Sequence, residues 1–145
     1  MKIMVINGPN LNMLGIREPD INGSQTLSDL ESIIEKYCEE NMIEVVALQS
    51  NSEGEIIDFI HHAFGNYDGI VINPGAYTHY SYAIADAISS VMIPTVEVHI
   101  SDINKREEFR KISVTKASCV KQIAGHGFEG YIEAISFLCE YCQKK

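Results

Sequence analysis

Residues 3–23 read Ile3-Met-Val-Ile-Asn-Gly-Pro-Asn-Leu-Asn-Met-Leu-Gly-Ile-Arg-Glu-Pro-Asp-Ile-Asn-Gly23. The stretch opens on a short apolar run, Ile3 to Ile6, rich in β-branched residues and closed by Asn-Gly-Pro, which reads as a buried strand. The part from Ile6 to Gly23 carries three Gly, two Pro and four Asn, so its backbone takes up special angles. Its only basic residue is Arg17. A helix pattern follows at once, making this a strand-to-helix connection about three times the usual handful of residues. Connections of that length inside a domain are usually functional, lids included. We therefore expect a lid loop over about 8–24, with the rest of the chain presenting partners to it.

The downstream sequence repeats the strand–helix alternation. Thr26-Leu-Ser-Asp29 is a helix start, with Leu30, Ile33, Ile34, Tyr37 and Cys38 at helical spacing and Asn41 as the stop. Ile43–Leu48 reads as a second strand. Ser52-Glu-Gly-Glu55 is a capping box opening a helix whose apolar face is Ile56, Phe59, Ile60, Ala63 and Phe64. Gly69–Ile72 is a third strand, 80–90 a helix, Pro94–Val98 a fourth strand and Cys119–Ile123 a fifth. A closing helix over Gly127–Cys142 carries Phe128, Tyr131, Ile132, Ile135, Leu138 and Cys142 on one face. Five strands alternating with helices predict an α/β fold: a flavodoxin-like, doubly wound parallel sheet of order 2-1-3-4-5.

The 145 residues fit one domain, 1–145, and 46% hydrophobic with 21% charged residues is ordinary for a globular chain. The net charge of −9 argues against a general nucleic-acid or anionic-membrane surface. An anionic small molecule needs its positive partners locally. The apolar runs are far too short to span a bilayer. Met1 to Ile6 leads straight into the loop with no cleavage-site pattern, so the expected location is the cytoplasm. Cys38, Cys119, Cys139 and Cys142 are then expected as free thiols. Cys139 and Cys142 have redox-motif spacing, but they sit at a helix C-terminus, where the dipole does not favour a thiolate.

Ligands of open α/β sheets bind outside the carboxyl ends of the strands. Three of those ends carry polar residues here. Strand one leads to Asn7, Asn10, Asn12 and Arg17. Strand three leads to Asn73, Tyr77 and His79. Strand four carries Glu97, His99 and Ser101. In Val96-Glu-Val-His-Ile100 the two titratable side chains share one parity and leave the same face. A carboxylate beside an imidazole orients it and favours its protonated form, which suits a general acid; the same spacing also suits a structural ion pair. No Gly-x-Gly-x-x-Gly, Walker loop or Gly-x-Ser-x-Gly elbow is present. Adjacent His61 and His62 point apart on their helix, against a His-only metal site.

Several segments together resemble type II 3-dehydroquinate dehydratase. They are Asn7-Gly-Pro-Asn-Leu-Asn12, Leu14-Gly-Ile-Arg-Glu-Pro19, Asn73-Pro-Gly-Ala-Tyr-Thr-His79, Glu97-Val-His-Ile-Ser101, Arg106-Glu-Glu-Phe-Arg110 and Gly125 to Tyr131. The resemblance implies dehydration of 3-dehydroquinate to 3-dehydroshikimate, in the shikimate pathway or in quinate breakdown, by anti elimination through an enolate. It implies no metal and no cofactor. A lid tyrosinate removes a C2 proton, Arg17 keeps that base acidic, and Asn10 holds the water that stabilises the enolate. His99 protonates the leaving hydroxyl, oriented by Glu97. The Ile100 and Ser101 amides and the Ser101 hydroxyl hold the substrate carboxylate, while Asn73, His79 and Arg110 hold its hydroxyl groups. Asp86 reaches a neighbouring subunit's site in a homo-oligomer, a dodecamer built from trimers.

Two positions depart from the family pattern. Its lid reads Arg-Glu-Pro-x-x-Tyr-Gly, and here Asn22 stands in the place of the Tyr base. Ala85 stands before Asp86 where the family usually has Arg. An amide cannot take a proton from carbon. Three readings remain open from the sequence: an impaired dehydratase or non-catalytic binding protein, a substitute phenol such as Tyr77 or Tyr80, or an introduced change at a native Tyr.

Overall fold

The structure, a computed structural model, describes residues 1–16 and 24–144. Arg17 and Asn22, and with them the middle of the expected lid, lie outside the described residues. Strands β1 (Lys2–Asn7), β2 (Glu44–Gln49), β3 (Gly69–Asn73), β4 (Thr95–His99) and β5 (Lys121–Ala124) alternate with helices α1 (Leu27–Glu40), α2 (Glu53–Ala63), α3 (Tyr82–Val91) and α4 (Glu129–Gln143). The strands form one parallel sheet in the order β2-β1-β3-β4-β5, as the alternation of elements predicts.

Strand parity builds the two layers. Ile3, Val5, Val71, Val96 and Val98 face one core with Leu30 and Ile34 of α1 and Tyr131, Ile135 and Leu138 of α4. Met4, Ile6, Ile70 and Ile72 face the other with Ile56 and Ile60 of α2 and Ile84 and Ile88 of α3. The sheet is thus apolar on both sides, which is why its strands read as continuous hydrophobic runs. The starts of α1, α2 and α3 are held by side-chain caps. Thr26 Oγ1 accepts from Asp29 N while Asp29 Oδ2 accepts from Thr26 N, and Ser81 Oγ accepts from Ile84 N.

Several local expectations need correction. Ser52 Oγ accepts from Glu55 N, but Ser52 N–H goes to Ser50 Oγ, so the cap is one-sided. Phe64 is 62% exposed because α2 ends at Ala63 and the chain turns outward there. Ile33 lies at the edge of its helix face, exposed. On α4, Gly130 and Ala134 are buried beside Tyr131, whereas Phe128, Ile132 and Cys142 are only half-buried. Small residues at those positions let the helix approach the sheet closely. The fourth strand starts at Thr95 and reaches His99, and the fifth runs two residues later than expected at its start. All four cysteines are free thiols. Among the described residues no helix is long and apolar enough to cross a membrane.

Candidate active site

The carboxyl ends of β1, β3 and β4 surround one cavity. Asn10, Asn73, His79, His99, Ile100, Ser101 and Arg110 all line it. Arg106, Ile103 and Pro9 line it too and carried no assigned role. Arg106 was visible in sequence as the first residue of the Arg106–Arg110 segment, one helical turn from Arg110. No carboxylate lines the cavity among the described residues, whereas two Arg and two His do. In a chain of net charge −9 this is a local cationic pocket, suited to an anionic small molecule. Asp86 sits exposed on α3, outside the cavity of its own chain.

The roots of the site interlock. Asn7 and Asn73 are register partners on β1 and β3, and the loops that follow them pack back to back. A Cβ on Gly8 would lie 2.6 Å from the Pro74 carbonyl oxygen, and one on Gly75 3.0 Å from the Pro9 oxygen. Gly75 also has φ +60°, where L side chains are strained. Asn10 adopts the left-handed conformation (φ 70°), tolerable for Asn. Its N–H donates to Asn51 Oδ1 at 3.0 Å, and Asn51 Oδ1 also accepts from Gln49 Nε2 at 3.1 Å. The end of β2 thus braces the start of the loop.

Beneath the cavity lies a buried polar triad. Tyr131 OH donates to Asn7 Oδ1 (2.6 Å) and accepts from Asn73 Nδ2 (2.9 Å). The sequence pattern places Tyr131 correctly in the core but misses its hydroxyl's role; a Tyr facing a buried strand end is the cue, because its O–H needs a partner. Burial pushes this phenol above its ordinary range, against the weaker opposing effect of the Asn73 bond. Asn73 Oδ1 accepts from Gly75 N, which leaves Asn73 one amide hydrogen and one lone pair for the cavity.

Glu97 and His99 do leave β4 on the same face, opposite Val96 and Val98. Glu97 is fully buried, and its Oε2 lies 2.8 Å from His99 Nε2. Ser113 Oγ (2.8 Å) and Gln122 Nε2 (2.7 Å) also donate to Oε2, and the Thr115 hydroxyl donates to Oε1. Burial alone raises a carboxyl's proton affinity, but the bond and charge of His99, then the Thr115 and Gln122 donors, outweigh it and hold Glu97 at about 2. An ionised carboxylate only accepts, so His99 Nε2 carries the proton of that bond and Nδ1 is the ring nitrogen left for the cavity. The same logic applies to His79. Its Nδ1 lies 2.7 Å from the Ile112 carbonyl oxygen and must donate, leaving Nε2 for the cavity. Arg110 is held by Glu107, with Nε 2.5 Å from Oε2. The site can therefore bind an anion, deliver a proton from His99 Nδ1 and offer hydrogen bonds from Asn10, Asn73 and His79.

Fold and site together define a flavodoxin-like α/β protein with a cationic acid–base cleft at the carboxyl edge of its sheet and no phosphate loop. The comparisons agree with that class. The family described as Dehydroquinase class II matches residues 1–139. A 3-dehydroquinate dehydratase of Caldicellulosiruptor saccharolyticus is 61% identical over 140 residues, covering 96% of this chain and 97% of the relative. One of Clostridium perfringens strain 13 is 58% identical over 146 residues, covering 100% of both. The crystal structure of a type II dehydroquinase from Butyrivibrio crossotus superposes with a TM-score of 0.95 at 60% identity, covering 96% and 97% of the two chains. The chain belongs to the class II dehydroquinase family.

Proposed function

We propose that this chain is a hydro-lyase that dehydrates 3-dehydroquinate to 3-dehydroshikimate, slowed by the amide at Asn22. The observation that carries the reading is the buried Glu97–His99 pair on the wall of a cavity shared by Asn10, Asn73, His79, Ser101 and Arg110. In the proposed reaction the C2 proton leaves on the lid side, where the family pattern has Tyr; Asn22 cannot accept it, so it passes slowly to water, and the electrons move onto the C3 carbonyl oxygen as an enolate. The enolate is stabilised by a water held on Asn10, and the role carried over to Arg17 is activation of the lid base. The enolate then collapses, the C1–O bond breaks, and His99 Nδ1 gives its proton to the leaving hydroxyl, releasing water. The Ile100 and Ser101 amides and the Ser101 hydroxyl take the substrate carboxylate, and Asn73, His79 and Arg110 take its hydroxyls. This chemistry uses no metal and no cofactor.

Tyr77 OH donates to the Asn51 carbonyl at 2.8 Å, and neither Tyr77 nor the exposed Tyr80 lines the cavity. Both facts support reading Asn22 as a lost base rather than a relocated one. The loss costs on the order of 10²–10⁴-fold in rate, the usual contribution of a general base. Asn22 also favours a second reading, a protein that binds dehydroquinate-like ligands without turning them over. We further infer a cytoplasmic, single-domain protein that assembles as trimers packed into a dodecamer, with exposed Asp86 of one subunit reaching the site of the next.

The test is 3-dehydroquinate turnover, followed by the enone absorbance of the product, for this chain and for Asn22→Tyr. The reading predicts slow turnover that rises on restoring Tyr. Binding without turnover in both would support the second reading and overturn the first.

A further inference from the structure

Glu97 has more partners than an orienting carboxylate needs. Four side chains donate to it: His99 from β4, Gln122 from the register position beside it on β5, and Ser113 and Thr115 from the segment that follows Arg110. Behind them Thr78 Oγ1 lies 2.9 Å from Ser113 Oγ and 2.7 Å from Thr115 Oγ1. The Ser113 and Thr115 protons are already committed to Glu97, so Thr78 is the outer donor, its single proton going to one of the two oxygens at a time. Lys116 N also donates to Ser113 Oγ. Both hydroxyls facing the carboxylate thus send their protons toward it, and neither competes for one.

We propose that Thr115, Gln122 and Ser113 are positioning residues of the acid–base pair, holding Glu97 as an anion locked on His99 Nε2 and so aiming Nδ1 at the substrate. The proposal rests on the reading of His99 as the proton donor. A carboxylate with no water around it stays ionised only if donors replace its hydration. With one donor removed, Glu97 takes up a proton more readily. A protonated Glu97 no longer favours the imidazolium that the elimination needs. The other titratable or charged groups near the pair are Cys119 by Glu97, and His79, Arg106 and Arg110 around the cavity wall that His99 shares. Cys119, His79 and Arg110 are engaged elsewhere, on the Thr115 carbonyl, the Ile112 carbonyl and Glu107, so they do not substitute for the missing bond.

The test compares the natural sequence with Thr115→Val, Gln122→Met and Thr115→Ser, by urea unfolding between pH 2 and pH 7. Each lost donor should raise the proton affinity of Glu97 about tenfold or more, the size of a hydrogen bond to a charged group. The stability deficit of Thr115→Val and Gln122→Met is then largest near neutrality and shrinks as the pH falls and Glu97 protonates. Thr115→Ser, which keeps the hydroxyl, stays near the natural protein. A deficit that does not change with pH, or one that Ser does not rescue, overturns the proposal. Gln122 lies half-buried on an edge strand, so Gln122→Met decides the matter if Thr115→Val does not fold. In the Asn22→Tyr background Thr115→Val and Gln122→Met should lose kcat about tenfold, with little change in KM and the acid limb moved to higher pH, and Thr115→Ser should not. No turnover in that background, with the pH-dependent deficit intact, would sink the dehydratase reading and leave the Glu97 clamp standing.

Discussion

Replacing Tyr131 by Phe removes one oxygen and leaves two buried groups without a partner. The hydroxyl donates to Asn7 Oδ1 and accepts from Asn73 Nδ2, and all three residues are at most 4% exposed. Asn7 Nδ2 is already a donor with no partner among the described residues, so the triad has no spare acceptor with which to rearrange. An orphaned buried polar group costs about 1–3 kcal/mol, so two cost about 2–6 kcal/mol. That is a large share of a total stability of about 5–15 kcal/mol. For a chain of this size, at about 3 °C per kcal/mol, it lowers Tm by about 6–18 °C. The assay is urea unfolding by circular dichroism, read as a lower midpoint at unchanged slope. The packing is conserved in Phe, so the loss reports the hydrogen bonds rather than a cavity. A loss below about 0.5 kcal/mol, the size of an ordinary surface change, would refute the reasoning and mean that the triad is rewired or solvated.

The remaining predictions concern charge, thiols and backbone clearance. Glu97 is held near 2 in the folded chain against an ordinary value of 4.5, by His99, Thr115 and Gln122 acting against burial. Its folded proton affinity is lowered, so the stability it adds is full above pH about 4.5 and lost as pH falls toward 2, about 3 kcal/mol in all. Urea midpoints of the natural chain and Glu97→Gln should therefore converge as the pH drops through that window; parallel curves would contradict the assignment. Burial pushes the Cys38 thiol up to about 11, with Cys139 adding to it, and the Cys119 thiol up to about 12, with Glu97 adding to it. Both should resist iodoacetamide at neutral pH until the chain is unfolded, as followed by mass spectrometry, because the thiolate is the reactive form. Gly8→Ala places a methyl 2.6 Å from the Pro74 oxygen and should cost about 1–3 kcal/mol in the same unfolding assay. Wild-type stability there would mean that the loops after β1 and β3 separate freely.

The sheet order was legible because each strand is a compact apolar run and the first two helices have their own start signals. Thr26 with Asp29 is the clearest case. Element ends were less legible: nothing in the apolar pattern says that the chain turns outward after Ala63, so Phe64 reads as core. In the site, the alternation Val96-Glu-Val-His-Ile100 gave the Glu97–His99 pair from strand geometry alone. The resemblance supplied the assignments of Asn10, Asn73, His79 and Arg110, which periodicity could not. The donors to Glu97 were hidden for a different reason. Ser113, Thr115 and Gln122 lie 16 to 25 residues away from it in sequence, and only the β4–β5 register and the path of the chain after Arg110 bring them in. The general cue was available, since a carboxylate buried on a strand must have donors, but not their identity.

The most direct test of the dehydratase account is 3-dehydroquinate turnover in Asn22→Tyr and in Asn22→Tyr with His99→Ala, read by product enone absorbance. The account predicts that Tyr raises the rate by on the order of 10²–10⁴-fold and that removing His99 abolishes most of that gain. Equal rates in the two proteins, or no enone from either, would contradict it.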